Sequence, residues 1–430
     1  MGNKIRVILA EQYDLVVGDT FQLFYRGVIE APNPYVYSIV SVCEKGKNFP
    51  RYFEYTPQEE GKHILTISVY DAARNLLGSA TTTLSIVRPK KPSSQVNVLC
   101  IGDSLTADGV WLNEVKRRIS TLGGNPCGLG FNNVNFVGSC MKEGVGFEAF
   151  GGWTWAGFMS NKLGSIWIEA PNKKTEKDQH SLWKDENGAI WQLETLQVDY
   201  IKLNRYKNHT SARPKNGVLI HYKNAIDTSP IYFYSSFDEQ TTPFFDSEEK
   251  NINFKTYLKK INVDKIDIVY ILLGANGLMR AEAINNTKRD YCKIVVREAK
   301  QLVDRIKKDL PNVKVKIIAP PLPSLKGGVG NNYGAELPLT DCYELIHYTM
   351  ELNLAYQNWA LEEEYKGFLE FINLSGQFDS EFSYPYIEKS VNVRSKITER
   401  MDINAVHPTV EGKMQMADAV YRNLIKEISK

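Results

Sequence analysis

The run Val96-Asn97-Val98-Leu99-Cys100-Ile101, followed directly by Gly102-Asp103-Ser104-Leu105, constrains this chain more than any other stretch. A continuous apolar run that stops in a tight turn reads as a parallel strand buried on both faces, because a strand with one wet face alternates instead. Open sheets of such strands take ligands outside their carboxyl ends, which is where this turn puts Ser104. Downstream, Trp111, Leu112, Val115 and Ile119 recur at helical spacing with Lys116, Arg117 and Arg118 between them. The serine therefore lies between a strand end and a helix, whose free N–H groups favour developing negative charge. Gly-Asp-Ser is also ordinary turn chemistry, and a serine ahead of a helix is often only its cap.

Two distant segments add weight to a chemical role. Ile266-Asp267-Ile268-Val269-Tyr270-Ile271-Leu272-Leu273 is a second buried-strand run and ends in Gly274-Ala275-Asn276-Gly277. Near the C-terminus, Asn404-Ala405-Val406-His407-Pro408-Thr409 precedes a helical pattern of Met414, Ala417, Val420, Tyr421 and Leu424. A serine and an amide donor thus fall at strand ends, and a loop histidine can reach them as base.

In this order the segments resemble the GDSL, or SGNH, hydrolase family, which is named for a Ser, a Gly, an Asn and a His. Gly102-Asp103-Ser104-Leu105 matches the first motif and Gly274-Ala275-Asn276 the third. The counterpart of the second is Gly152 in Phe150-Gly151-Gly152-Trp153-Thr154, after the strand-like Val134-Asn135-Phe136-Val137-Gly138. The last motif is usually Asp-x-x-His-Pro, and here Asn404 stands in place of the aspartate ahead of His407 and Pro408. The resemblance spans residues 96–160 and 255–430. It implies an α/β fold: a three-layer, flavodoxin-like core around a parallel sheet, occupying 96–430 with a β-rich insertion at about 161–250.

The mechanism expected of such a set follows from the residue types. A serine hydroxyl is a poor nucleophile until a base takes its proton, so His407 must come within hydrogen-bond reach of Ser104. Attack on an ester creates an oxyanion, with the Ser104 N–H, the Gly152 N–H and the Asn276 amide as its donors. What orients His407 stays open at this point: Asn404 offers only an amide oxygen, while Asp402 or Asp379 could bring a carboxylate, and Asp402 is preferred for the charge. The resemblance implies an esterase or acetylesterase, and the attached β modules turn the expectation toward acylated carbohydrate or a small ester. A different class is also consistent with the Asn404 departure, namely a weakened hydrolase core serving as a glycan-binding adhesin or phage structural protein.

Composition narrows this without adding much. The chain has 430 residues, 43% of them hydrophobic, enough for a sizeable core in each of two or three domains. A net charge of +2, from 52 basic and 50 acidic residues, argues against a nucleic-acid footprint. Six cysteines (Cys43, Cys100, Cys127, Cys140, Cys292, Cys342) show no metal spacing and read mostly as buried thiols. His63, His180, His209, His221 and His347 are scattered, so neither metal nor cofactor is implied. No signal-peptide core and no membrane-length apolar run occurs, leaving non-classical export, a phage particle or a missing leader all open.

Residues 1–87 read as all β, with strands at Arg6–Leu9, Thr20–Tyr25, His63–Tyr70 and Thr81–Val87, a turn at Asp71–Asn75, and the size of a small immunoglobulin-like sandwich. Arg88-Pro89-Lys90-Lys91-Pro92-Ser93-Ser94 marks a solvated linker over 88–95. Within the insertion, Ser181–Lys184 and Ile190–Leu193 flank Asn187-Gly188, which predicts a type I′ hairpin. Val198, Tyr200, Ile201, Leu203 and Val218–Tyr222 read as further strands. Trp167, Trp183, Trp191, Tyr200 and Tyr222 could stack on sugars, but burial in a small β unit is the expectation. Gly327–Gly334 is glycine-rich but has neither P-loop nor dinucleotide spacing, so it reads as a loop near the site rim.

Overall fold

The computed structural model describes residues 5–159, 165–169, 176–196, 200–207, 217–233, 236–237, 242–246, 248–249, 251–280, 291–326 and 342–430. Gly327–Gly334, Val198 and His209 lie outside them, as do the side chains of Trp167, Tyr200 and Cys342. By compactness the chain divides into two units. One comprises Met1–Gly151, Val263–Arg297 and Leu310–Lys430, the other Gly152–Asn262 and Glu298–Asp309.

The first unit is organised by the strand Val96–Gly102, whose residues from Val98 onward are fully buried. On one side it pairs in parallel with Val134–Val137 along its first half and with Val145–Ala149 at its end. On the other side lie Ile268–Leu272, Lys314–Ile318 and Leu369–Ile372, again all parallel. The short Cys140–Lys142 strand closes the edge antiparallel to Val145–Ala149. With the two short partners counted together as the second strand, the parallel strands stand in the order 2-1-3-4-5. The order reverses between the strands that end ahead of Ser104 and of Asn276, and such a reversal opens a crevice at the carboxyl ends. The two apolar runs read from sequence are thus the neighbours that frame it.

Local chemistry explains the sharp exits from both strands. A Cβ on Gly102 would sit 2.2 Å from Thr106 Oγ1, so only glycine lets the chain turn back so closely. Gly274 adopts a φ of +127°, and a Cβ there would meet the Tyr356 hydroxyl at 2.7 Å and Leu352 Cδ2 at 2.8 Å. A short helix, Ser104–Ala107, comes first, and the predicted helix follows as Val110–Ser120 after Gly109, whose φ is +76°. Trp111, Leu112, Val115 and Ile119 are buried as their spacing requires, and this helix packs on Val410–Ile428.

Residues 12–87 form a four-stranded sheet (Gln12–Val16, Leu76–Val87, Gly61–Tyr70, Ser38–Val42) and a three-stranded one (Phe21–Phe24, Tyr52–Tyr55, Lys47–Asn48). Both contribute to one core that includes Tyr13, Leu15, Phe21, Leu23, Phe53, Leu65, Ile67, Val69, Leu84 and Ile86. The alternation Leu65, Ile67, Val69 buries as predicted, and Asp71 accepts the Asn75 N–H at 2.8 Å to close the turn. The predicted Arg6–Leu9 strand is absent: one bridge, Val7 to Ile29, stands in its place. The carbonyls of Ile8 and Leu9 are taken instead by Asn373 and Gln357 side chains. The 88–95 stretch is mostly exposed, with Pro92 buried. Of the five cysteines with described side chains only Cys100 is buried, correcting the expectation for Cys43, Cys127, Cys140 and Cys292.

In the second unit, seven strands form an antiparallel sheet in the order Ile231–Phe233, Gly217–Lys223, Leu182–Lys184, Ile190–Leu196, Tyr200–Lys207, Ser165–Glu169, Ser236–Phe237. Trp183 and Trp191 face each other across the hairpin and are fully buried, as core rather than sugar platform. Tyr222 is partly exposed. The hairpin turn differs from the type I′ prediction. Only Gly188 takes a positive φ, and Lys184 pairs with Ile190 across a longer loop. The reason is Asp185, whose buried carboxylate accepts the N–H groups of Asn187 and Ala189 at 2.9 Å and the Trp191 indole at 2.8 Å. That side chain favours a wider turn over a two-residue one.

The first unit holds a buried ion network. Arg118, with 1% of its side chain exposed, pairs with Asp19 and Asp418 at 2.5 Å, and Arg422 reaches Asp19 at 2.7 Å. Removing one partner of a buried pair strands the other charge. Asp19→Ala is expected to lower the unfolding free energy by about 3–5 kcal/mol, read from the urea midpoint at pH 7. A loss under about 1 kcal/mol, the scale of an exposed pair, would contradict this account.

Candidate functional site

Ser104 begins the short helix Ser104–Ala107, two residues beyond the end of the central strand. Asp103 caps that helix: its carboxylate accepts the Leu105 N–H at 3.0 Å and the Asn276 side-chain N–H at 2.9 Å. Asp103 and Asn276 are both buried, so this bond links the turns that leave the two framing strands. The Asn276 amide carries two donor hydrogens, and the bond to Asp103 uses one.

His407 lies in the loop between the strand Thr398–Asp402 and the helix Val410–Ile428. Its Nε2 stands 2.8 Å from Ser104 Oγ across a separation of 303 residues. The Asn404 side-chain oxygen accepts the backbone N–H groups of Val406 at 3.0 Å and His407 at 2.8 Å, so it shapes the histidine's own loop. Thr409 then caps the final helix through the Gly412 N–H at 3.1 Å. Ser104, His407, Asn404 and Asn276 all lie in the first unit, whereas Gly152, with a φ of +75°, lies in the second.

The carboxylates weighed as partners for His407 are engaged elsewhere. Arg400 Nε holds Asp402 Oδ1 at 2.9 Å and the Ser324 hydroxyl donates to Oδ2. Asp379 pairs with Arg51 and accepts the Glu381 N–H at 3.1 Å. An acidic residue whose charge bears on His407 is Asp108, which reading the sequence missed. It is ion-paired with Lys413 on the final helix. Nothing in the spacing signals this pair except that each member lies within one or two turns of a motif residue.

Burial pushes the His407 imidazole below its ordinary value, the Lys413 ammonium adds to that, and Asp108 opposes it. A neutral imidazole with its proton on Nδ1 presents Nε2 as an acceptor, and a hydroxyl at 2.8 Å can lose its proton to it. Elsewhere, Glu30, His347 and Glu351 bring one potential metal-ligating atom each within 4.8 Å of one another. Arg6 pairs with both of those carboxylates, so a guanidinium of the chain itself supplies the cation there.

No known family model matches the chain, and no curated protein matches it. Among solved structures it is similar to a carbohydrate acetylesterase family member from Sinorhizobium meliloti, at 12% identity and a TM-score of 0.36, over 78% of this chain and 100% of that one. A carbohydrate esterase family 2 enzyme plus carbohydrate binding domain from Corynascus thermopiles matches at 11% identity and 0.32, over 99% of each chain. The native M. smegmatis aryl esterase matches at 13% and 0.28, over 76% of this chain and 98% of its own. These neighbours are esterases by name. Among the described residues no helix is long and apolar enough to cross a membrane.

Protonation of His407 removes the acceptor, and burial favours the neutral form into mildly acidic solution. The His407 ring is expected to titrate below the 6.5 of a free imidazole, followed by NMR of its carbon-bound protons and assigned with His407→Gln. A midpoint above that value would contradict the burial argument.

Proposed function

We propose that this chain is a serine esterase of the SGNH type, with a flavodoxin-like core, that removes acetyl or other short acyl groups from carbohydrate. One observation carries the reading: Ser104 Oγ and His407 Nε2 stand 2.8 Å apart at the carboxyl edge of a parallel sheet, where the strand order reverses. In this mechanism His407 takes the Ser104 proton as Oγ attacks the ester carbon. The Ser104 N–H and the Asn276 amide receive the oxyanion. His407 then protonates the departing alcohol, and water, deprotonated by the same histidine, releases the acyl group and restores Ser104.

Asn404 serves as the orienting residue through the main chain, holding the His407 N–H, and Asp402 braces the loop through Arg400 and Ser324. This gives Asp402 a smaller part than the preference for its charge assigned it. The choice of carbohydrate rests on the β modules in the chain, read as an immunoglobulin-like sandwich at 1–87 and a β insertion at about 161–250, as additional surface for a polymeric substrate.

Fluorophosphonate labelling tests the reading directly. The chain should be labelled, and Ser104→Ala and His407→Gln should abolish labelling. No labelling of the wild-type chain would favour a binding protein built on a hydrolase core. Asn276→Ala should lower kcat on an aryl acetate by about 10²–10³, the effect of losing one oxyanion donor. Asn404→Asp keeps the oxygen that the loop needs and should stay near wild type, whereas Asn404→Ala should fall by on the order of tenfold or more as the histidine loses its register. Equal activity of the two Asn404 variants would remove the loop-shaping role.

A further inference from the structure

We infer that the Asp108–Lys413 ion pair is a positioning device that locks His407 onto Ser104, within the esterase reading on which this inference rests. Asp108 is the C-cap of the short helix that begins at Ser104, so it stands one turn from the nucleophile. Lys413 stands six residues beyond His407, in the first turn of the helix capped by Thr409. The ion pair therefore joins the same two segments that the Ser104–His407 hydrogen bond joins, with sequence separations of 305 and 303 residues. A single hydrogen bond between two segments sets a distance but leaves rotation about it. A second link about one turn away removes that rotation.

The pair is also built to last. Lys413 is 8% exposed, and a nearly buried ammonium that loses its partner carries a large desolvation cost. Asp108 is more open, with 34% of its side chain exposed, and its carboxylate also accepts the Val110 N–H at 3.2 Å. That second bond fixes Asp108 from its own side, so the ammonium approaches an oriented acceptor.

The same geometry gives the pair an electrostatic part. Lys413 disfavours the imidazolium and Asp108 favours it, so the base stays neutral at rest and has a carboxylate nearby when it takes the serine proton. Three other carboxylates near these segments have partners. Asp402 pairs with Arg400 on the strand before the loop, Asp103 is bound by Asn276 and the Leu105 N–H beneath Ser104, and Asp379 pairs with Arg51. Glu411 shares the first turn of the final helix with Lys413.

The test uses the full chain with Lys413→Met, Asp108→Asn and the charge-swapped double variant Asp108→Lys/Lys413→Asp. Three readouts are followed: the His407 titration by NMR, kcat and KM on an aryl acetate, and fluorophosphonate labelling. Lys413→Met should move the His407 midpoint to higher pH and Asp108→Asn should move it to lower pH, an opposition that loss of packing alone would not produce. Each single change should lower kcat roughly ten- to a hundredfold, the scale of an ångström-level misplacement, with KM nearly unchanged. The swapped pair restores the link and should recover much of kcat. If the wild-type chain hydrolyses ester and the variants match it in midpoint and kcat, the positioning role falls and the esterase reading stands. If the midpoints shift as expected but the wild-type chain neither labels nor hydrolyses, the esterase reading falls while the coupling of the pair to His407 stands.

Discussion

Everything at the candidate site depends on burying one strand on both faces and both edges. Val96–Gly102 has parallel partners on either side, so its backbone groups are satisfied within the sheet and its side chains are free to be apolar. Parallel neighbours all end at the same edge. The turn that carries Ser104 and the turn that carries Asn276 are thereby delivered side by side, since Leu272 is in register with Gly102. The reversal of strand order at that point keeps the edge open to a ligand. The bond from Asn276 to Asp103 ties the two turns, so each is held by the other as well as by its strand.

The histidine comes from far along the chain and needs its own anchoring. The final helix supplies it, through a buried apolar face and a set of charged contacts. Arg422 and Arg118 meet on Asp19 of the N-terminal β segment, while Asn423 and Lys426 reach Asp14 and Glu370. Lys316, buried in the parallel sheet, pairs with Glu427 at 2.9 Å. Such pairs add little net stability against an apolar alternative, yet any packing that separates them leaves buried charges uncompensated. The helix that follows His407 is therefore held in one register against the sheet and the N-terminal strands. The direction in which it presents the histidine depends on that register.

Much of this was legible in the residues themselves. The two apolar runs, the turns that end them and the helix after His407 all follow from periodicity and turn chemistry, and the structure bears out those elements. Where local reading erred, a side chain or a distant contact had overridden a local rule. Asp185 replaced a two-residue turn with a wider one, and Asn373 and Gln357 took carbonyls that a strand at Arg6–Leu9 would have paired. The engagement of Asp402 by Arg400 and Ser324, and of Asp108 by Lys413, was illegible for the same reason.

The sequence alone determined the two apolar strands that frame the site, the helix after His407 and the residue types that stand at their ends, because periodicity, glycine placement and capping act over a few residues and are written there. Tertiary structure alone decided that Ser104 meets His407, that Asn404 turns its oxygen to the main chain, and that Lys413 pairs with Asp108. Those contacts join residues some three hundred positions apart or depend on how one loop is pinned by others. They are set by the packing of whole elements, which no local pattern encodes.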